Sequence, residues 1–341
     1  KINVKASTGA FNLAGTILGS ASATARKGSF SLDAATIAGG NLTPLDAQLN
    51  AGQFSEARQY RIRSGDLTIG GTVTAHDYQA TADNGSLTVT GTINASGVTG
   101  GKIQLQSSGS LVLASGSSLT VAAQKFNSAG KGGTITLEAG AHRNGVIDTA
   151  ALLDLRSGSS LNLGVAENNV SRNSAAYGQF TGKLHLRAPR TAANDDIQLA
   201  TIGSSITGAS SILVEGYKLY TPAGGAITAT VQSAIQSDGR NFLGAAGTAS
   251  DSYTTLLGRL TSSQPALDFV IAPGAEIINP AGDLTLGTLT STATSDWDLG
   301  TFRFGPRGAP GVLTLRAAGD LVFFNALSDG FAPTLANTDT A

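Results

Sequence analysis

The chain has 341 residues with 22 Lys and Arg against 23 Asp and Glu, and a net charge of -1 gives no global field for nucleic acid or an acidic membrane. It has no Cys, which excludes disulfides, Cys-based zinc sites and thiol catalysis. Charged residues are only 13% and Gly is 44 of 341, a composition suited to tight corners between polar-faced strands.

The first residues, Lys1-Ile2-Asn3-Val4-Lys5, read as a strand rather than a signal peptide. With no Met in the chain, the expectation is a processed or internal piece of a longer protein. Residues 41–60 then break the strand rhythm. Leu42, Leu45 and Leu49 have helical spacing around Pro44, so a small helical insertion or lateral loop is expected there.

From Asp66 onward one motif returns, an apolar-x-apolar strand flanked by Gly, Ser, Thr or Asn. Copies are Leu67-Thr68-Ile69, Leu87-Thr88-Val89, Ile103-Gln104-Leu105, Leu111-Val112-Leu113, Leu119-Thr120-Val121, Ile135-Thr136-Leu137, Leu161-Asn162-Leu163 and Leu184-His185-Leu186. Period two means one buried face per strand. Ile103, Leu111 and Leu119 each open a strand and stand 8 residues apart, leaving about two residues of turn. Three such faces close a coil of roughly 20 to 25 residues. The segments are too short for helical crossovers. The competing arrangement is antiparallel hairpins, with Asn84-Gly85 as the best turn.

Residues 165–180, rich in Asn, Ser and Ala, read as a loop leaving the coil. Residues 217–265 are the longest departure: Ile227–Ile235 and Ser252–Leu260 predict short helices, with a capping signal ahead of Ser252. Strand rhythm resumes at Leu267-Asp268-Phe269-Val270-Ile271. The expected fold is all-β, a right-handed parallel β-helix (solenoid) with short lateral loop or helix insertions. Residues 1–216 form its repeats, 217–265 an irregular insertion and 266–341 its continuation.

The last third carries a family likeness. Asp268-Phe269-Val270-Ile271-Ala272-Pro273-Gly274-Ala275-Glu276-Ile277 leads to Gly282-Asp283-Leu284-Thr285-Leu286, then to Asp296-Trp297-Asp298-Leu299, Arg303-Phe304-Gly305 and Gly311-Val312-Leu313-Thr314-Leu315-Arg316. Gly319-Asp320-Leu321 and Leu327-Ser328-Asp329-Gly330-Phe331 complete it. Over residues 265–331 this resembles the filamentous haemagglutinin family of large exoproteins, the cargo of two-partner secretion. The resemblance implies a secreted protein of the bacterial cell surface, exported by an outer-membrane β-barrel partner transporter, in which further β-helix segments of the same or identical chains follow on. It implies an adhesin or extracellular filament, whose glycan or protein target on a host or neighbouring cell it does not name. The family's secretion-signal domain has no counterpart here.

Candidate chemistry is sparse. Asp195-Asp196 is the only adjacent acidic pair, and the Gly-His-Gly and Arg-x-Lys elements of β-helical polysaccharide hydrolases are missing. None of His76, His142 and His185 has a partner at metal-ligand spacing, and His185, between two inward leucines, is expected on the outer surface. No catalytic, metal or cofactor residue is expected. The one basic cluster is Arg58-Gln59-Tyr60-Arg61-Ile62-Arg63. With Tyr60 and Ile62 inward, Arg61 and Arg63 share an outer face that could hold sulfated or phosphorylated sugars. The expected function is therefore a stiff structural segment of a surface fibre. The alternatives are a glycan-binding module using Arg61 and Arg63, and a β-helical polysaccharide-degrading enzyme.

Overall fold

The computed structural model describes residues 1–22, 27–141, 146–167, 182–262, 268–289 and 295–329. Strands, mostly in parallel sheets, are the commonest element among them, with few helices. The expected loop at 165–180 falls almost wholly outside the described residues. Two compact units are present: Lys1–Ala192 with Ile197–Gly216 and Leu256–Ile271, and Ala193–Asp196 with Tyr217–Thr255 and Ala272–Ala341.

In the first unit the chain visits three parallel sheets in turn. The first sheet holds Ile2–Phe11, Ser29–Ile37, Ala57–Ile62, Asp77–Ala82, Lys102–Ser107, Thr134–Glu138 and Gly182–Pro189. The second holds Leu67–Ile69, Leu87–Val89, Leu111–Leu113 and Leu153–Leu155. Thr72–Thr74, Thr92–Asn94, Ser118–Thr120, Ser160–Asn162 and Ser205–Thr207 form the third. After each strand of the first sheet from Ala57–Ile62 onward, the chain passes to another sheet before it returns.

The hairpin alternative does not hold here, because each of these strands pairs in parallel. Asn84-Gly85 turns the chain from the first sheet to the second. A Cβ on Gly85 would stand 2.2 Å from the Gly65 carbonyl oxygen, so the stacked turns approach as closely as glycine permits.

Register converts alternation into apolar columns. Leu67, Leu87, Leu111 and Leu153 are successive partners, as are Ile69, Val89, Leu113 and Leu155. Val73, Ile93, Leu119, Leu161 and Ile206 align in the third sheet. In the first sheet Leu32, Tyr60, Ala80, Leu105, Leu137 and Leu186 align. All of these side chains are buried. A slip of one residue would turn every column outward, so burial fixes the register.

Helix α1 (Thr43–Ala51) is where 41–60 predicts a helix, with Pro44 in its first turn. It is not a lateral excursion. Asn41 bridges Thr68 of the second sheet, and the Thr43 hydroxyl accepts from Gly70 N at 2.8 Å. Asn50 donates from Nδ2 to Thr72 O and accepts from Thr74 N at its Oδ1, as a neighbouring strand would. The helix thus caps the edges of two sheets, which would otherwise leave backbone groups open for pairing. Residues 57–60, expected inside the insertion, are already strand.

The second unit repeats the cycle on a smaller scale. Gly274–Asn279 pairs with Val312–Ala317, Leu284–Leu286 with Ala226–Ile227 and Leu321–Phe323, and Ser295–Asp298 with Ala326–Ser328, all in parallel. Half of the residues that carry the family likeness lie in these strands. Residues 217–265 are less irregular than expected, since 217–220 and 226–227 are strand. The two expected helices are present as α2 (Ala229–Leu243), capped by Thr228, and α3 (Asp251–Thr261), whose Tyr253 N donates to Ser250 Oγ. No helix among the described residues is long and apolar enough to cross a membrane.

Candidate functional site

Period two in Ala57–Ile62 places Tyr60 and Ile62 inside and Arg61 outside, with Arg63 following at the strand end. Both guanidiniums are about one-third exposed. They border a cavity of about 730 Å³, lined also by Asp83, Ser86, Val146 and Asp148.

Neither arginine is a bare cation. Arg61 Nε donates to Asp83 Oδ2 at 2.7 Å. Arg63 makes a two-point fork on Asp33, with Nε to Oδ1 at 2.7 Å and Nη2 to Oδ2 at 2.8 Å. The Arg63 guanidinium beside Asp33 holds that carboxyl below its ordinary value, with the charges of Arg63, Arg61 and Lys5 adding to the effect. With Asp148 in the same wall, carboxylates outnumber guanidiniums, so the groove has no excess positive charge to draw a sulfate or phosphate. Neutral hydroxyls suit it better.

The same alternation points Arg58 inward, which a reading confined to the outer pair misses. Arg58 continues the column of Phe30, Tyr78, Ile103, Ile135 and Leu184, and is fully buried. Its charge is met by Asp46 of α1, with Nη1 to Oδ1 at 2.9 Å. Tyr60 OH donates to Asp46 Oδ1 at 2.7 Å and Tyr78 OH to Oδ2 at 2.9 Å. Asp46 O, Asn50 Oδ1, Phe54 O and Thr74 O accept the remaining Arg58 donors. Three donors converge on the Asp46 side chain, which suits a carboxylate and not an acid. Burial nevertheless pushes its carboxyl up, against the pull of Arg58, Tyr60 and Tyr78. Burial, and then the Asp46 charge, push both phenols well above their ordinary value, so they remain donors. This hub is closed and binds α1 to the strands beneath it.

A second buried network lies on the other parity of the first sheet. Gln106, Glu138 and Arg187 are register partners on three successive strands. Gln106 Nε2 donates to Glu138 Oε2 at 2.6 Å, and Arg187 bonds both Glu138 and Glu215. His185 Nε2 lies 2.9 Å from Glu215 Oε2, so this histidine is a half-buried member of an ion network rather than a free surface group. Glu138, Arg187 and Glu215 are buried, and their charges are spent on one another.

The remaining candidates are scattered. Asp195 is exposed in a turn, and Asp196 is half-buried next to it. His76 is half-buried just before the strand Asp77–Ala82, and His142 lies outside the described residues. No group of three or more His, Asp or Glu suited to a metal ion occurs among the described residues. In comparisons with known proteins, no family model, curated protein or solved structure matches the chain.

Proposed function

We propose that the first unit is a right-handed parallel β-helix and that the chain is a segment of a secreted bacterial surface fibre, serving adhesion or extracellular scaffolding. The single observation that carries this reading is the cyclic return to three parallel sheets, in matched register from Ala57–Ile62 onward, with apolar columns inside. Strands joined by crossovers to parallel neighbours favour the right hand. Coils stacked about 4.8 Å apart would resist bending through their backbone ladders, while their outer Thr, Gln and Asn faces remain available for contact. The role is mechanical, and no residue is given a catalytic part. The family resemblance over residues 265–331 adds export through an outer-membrane β-barrel partner and onward β-helix segments of the same or identical chains.

Antibody labelling of intact cells of the source organism tests this. Surface labelling that disappears when the partner transporter is deleted is expected; labelling only after permeabilisation would contradict it. A second reading, glycan binding at Arg61 and Arg63, draws on the groove beside them. Glycan-array signal lost in both Arg61→Gln and Arg63→Gln is its test.

A further inference from the structure

Stacked turns build the groove beside Arg61 and Arg63. Arg63, Asn84 and Ser108 stand on three successive turns from the first sheet to the second, so this lining follows the stack at about 4.8 Å per level. Val146 and Asp148, ahead of the strand Leu153–Leu155, also line it. Its volume of about 730 Å³ has room for a short oligosaccharide and is ordinary for a ligand site. The lining is open to solvent. The Arg61 and Arg63 side chains are 34% and 33% exposed, and Asn84, Val146 and Asp148 are exposed.

The arginines are aimed but not used up. A guanidinium has more N–H donors than one carboxylate can take. Arg61 gives Nε to Asp83, and Arg63 gives Nε and Nη2 to Asp33. Each carboxylate fixes its guanidinium before a ligand arrives, so little further order is lost on binding. The remaining N–H groups of both arginines have no acceptor among the described residues.

Acceptors and an apolar contact stand in the same groove. Asn84 gives its backbone carbonyl to Gly65 N at 2.9 Å, while its side-chain amide has no partner among the described residues. Asp148 takes Ala150 N on Oδ1 at 2.9 Å and keeps its second oxygen. Val146, 77% exposed, offers an apolar surface. Fixed donors, acceptors and an apolar contact complement the hydroxyls and C–H faces of sugar rings. A sulfate or phosphate is served less well. It would compete with Asp33 and Asp83 for guanidiniums they already neutralise, and would meet Asp148 as a like charge.

On the reading of this groove as a glycan site, we infer that it binds a neutral oligosaccharide laid along the stacked turns, recognised by hydrogen-bond geometry rather than by charge. Sugar hydroxyls accept from the remaining N–H groups of Arg61 and Arg63 and donate to Asn84 and Asp148.

The test is calorimetric titration of the whole chain with cellotetraose, maltotetraose, xylotetraose and chitotetraose, and with a heparin tetrasaccharide as the sulfated probe. At least one neutral probe should bind more tightly than the heparin fragment, with a dissociation constant in the millimolar range or below. Its affinity should change less than about twofold between about 0.05 and 0.5 M salt. Arg63→Lys keeps the charge and loses the fork, so neutral binding should fall at least about tenfold, whereas attraction by charge alone would survive it. Asn84→Ala, at an exposed turn position, should weaken binding at least about threefold. Tighter binding of the heparin fragment, lost in salt, would overturn the neutral class and leave the groove a glycan site. No binding of any probe, or neutral binding unchanged in both variants, would overturn the site itself.

Discussion

Replacing Asp46 by Asn tests the role of the buried hub under α1. The side chain keeps its size and one acceptor, but Arg58 loses its only counter-charge in the hub while staying fully buried. Removing one member of a buried pair costs about 3–5 kcal/mol, because the other charge is left uncompensated. A typical domain has about 5–15 kcal/mol in all, so α1 and the strands it caps should open far more often. Since a repeat array need not unfold in one step, the assay is local: hydrogen–deuterium exchange of peptides covering residues 42–82. Exchange there should rise by roughly a hundredfold or more, at 1.4 kcal/mol per factor of ten. The combined variant Asp46→Leu, Arg58→Met, Tyr60→Phe, Tyr78→Phe removes charges and hydroxyls together and should lose much less, since apolar replacements of a buried pair are often near neutral. Exchange in Asp46→Asn within threefold of the parent would refute the reasoning.

The surface pair of Asp33 and Arg63 carries a pH dependence of definite sign. Its folded value is depressed by Arg63, so its contribution is present above 3.8 and lost as pH falls through the folded value; NMR titration should place the carboxyl below 3.8, and Arg63→Gln should bring it back toward 3.8. Leu105→Asp sets a charge with no partner into a buried column and should expose residues 77–138 to protease, whereas parental resistance would mean the register is wrong. Gly85→Ala drives a methyl against the Gly65 carbonyl and should cost about 1–3 kcal/mol by urea unfolding, a loss that Ala at exposed Gly9, with nothing nearby, should not reproduce.

How far the sequence could be read follows from where its signals are local. Leu67-Thr68-Ile69 and its copies have a period of two and Gly or Ser corners, so strand identity and inward parity were legible from single segments. The helices α1, α2 and α3 were legible from spacing and caps. The spacing between strand partners was not. An even division into coils of about 20 to 25 residues predicts about 14 to 17 coils. Instead the interval is uneven: Ser29 pairs with Ala57, Ala57 with Asp77 and Thr134 with Lys183. Loops of unequal length leave the ladder intact, because register depends on the strands alone. The edge-capping role of α1 was also hidden, since Asn50 meets Thr72 and Thr74 only once the chain has coiled. The charged networks escaped for a related reason. Arg58 has an inward parity that outranks its charge, and His185 has an outward parity on a face that is buried at that level. Trp297 stood out in the sequence as the lone Trp, but the burial of its N–H without an acceptor among the described residues is a property of the packing.

The central claim is the parallel coil, and its most direct test is electron cryo-microscopy of the native full-length assembly at side-chain resolution. The account predicts a right-handed coil through the first unit, with successive turns about 4.8 Å apart, Leu87 lying between Leu67 and Leu111, and α1 covering the first edges of two sheets. Antiparallel hairpins, or a fold in which Leu67, Leu87 and Leu111 are not stacked neighbours, would contradict it.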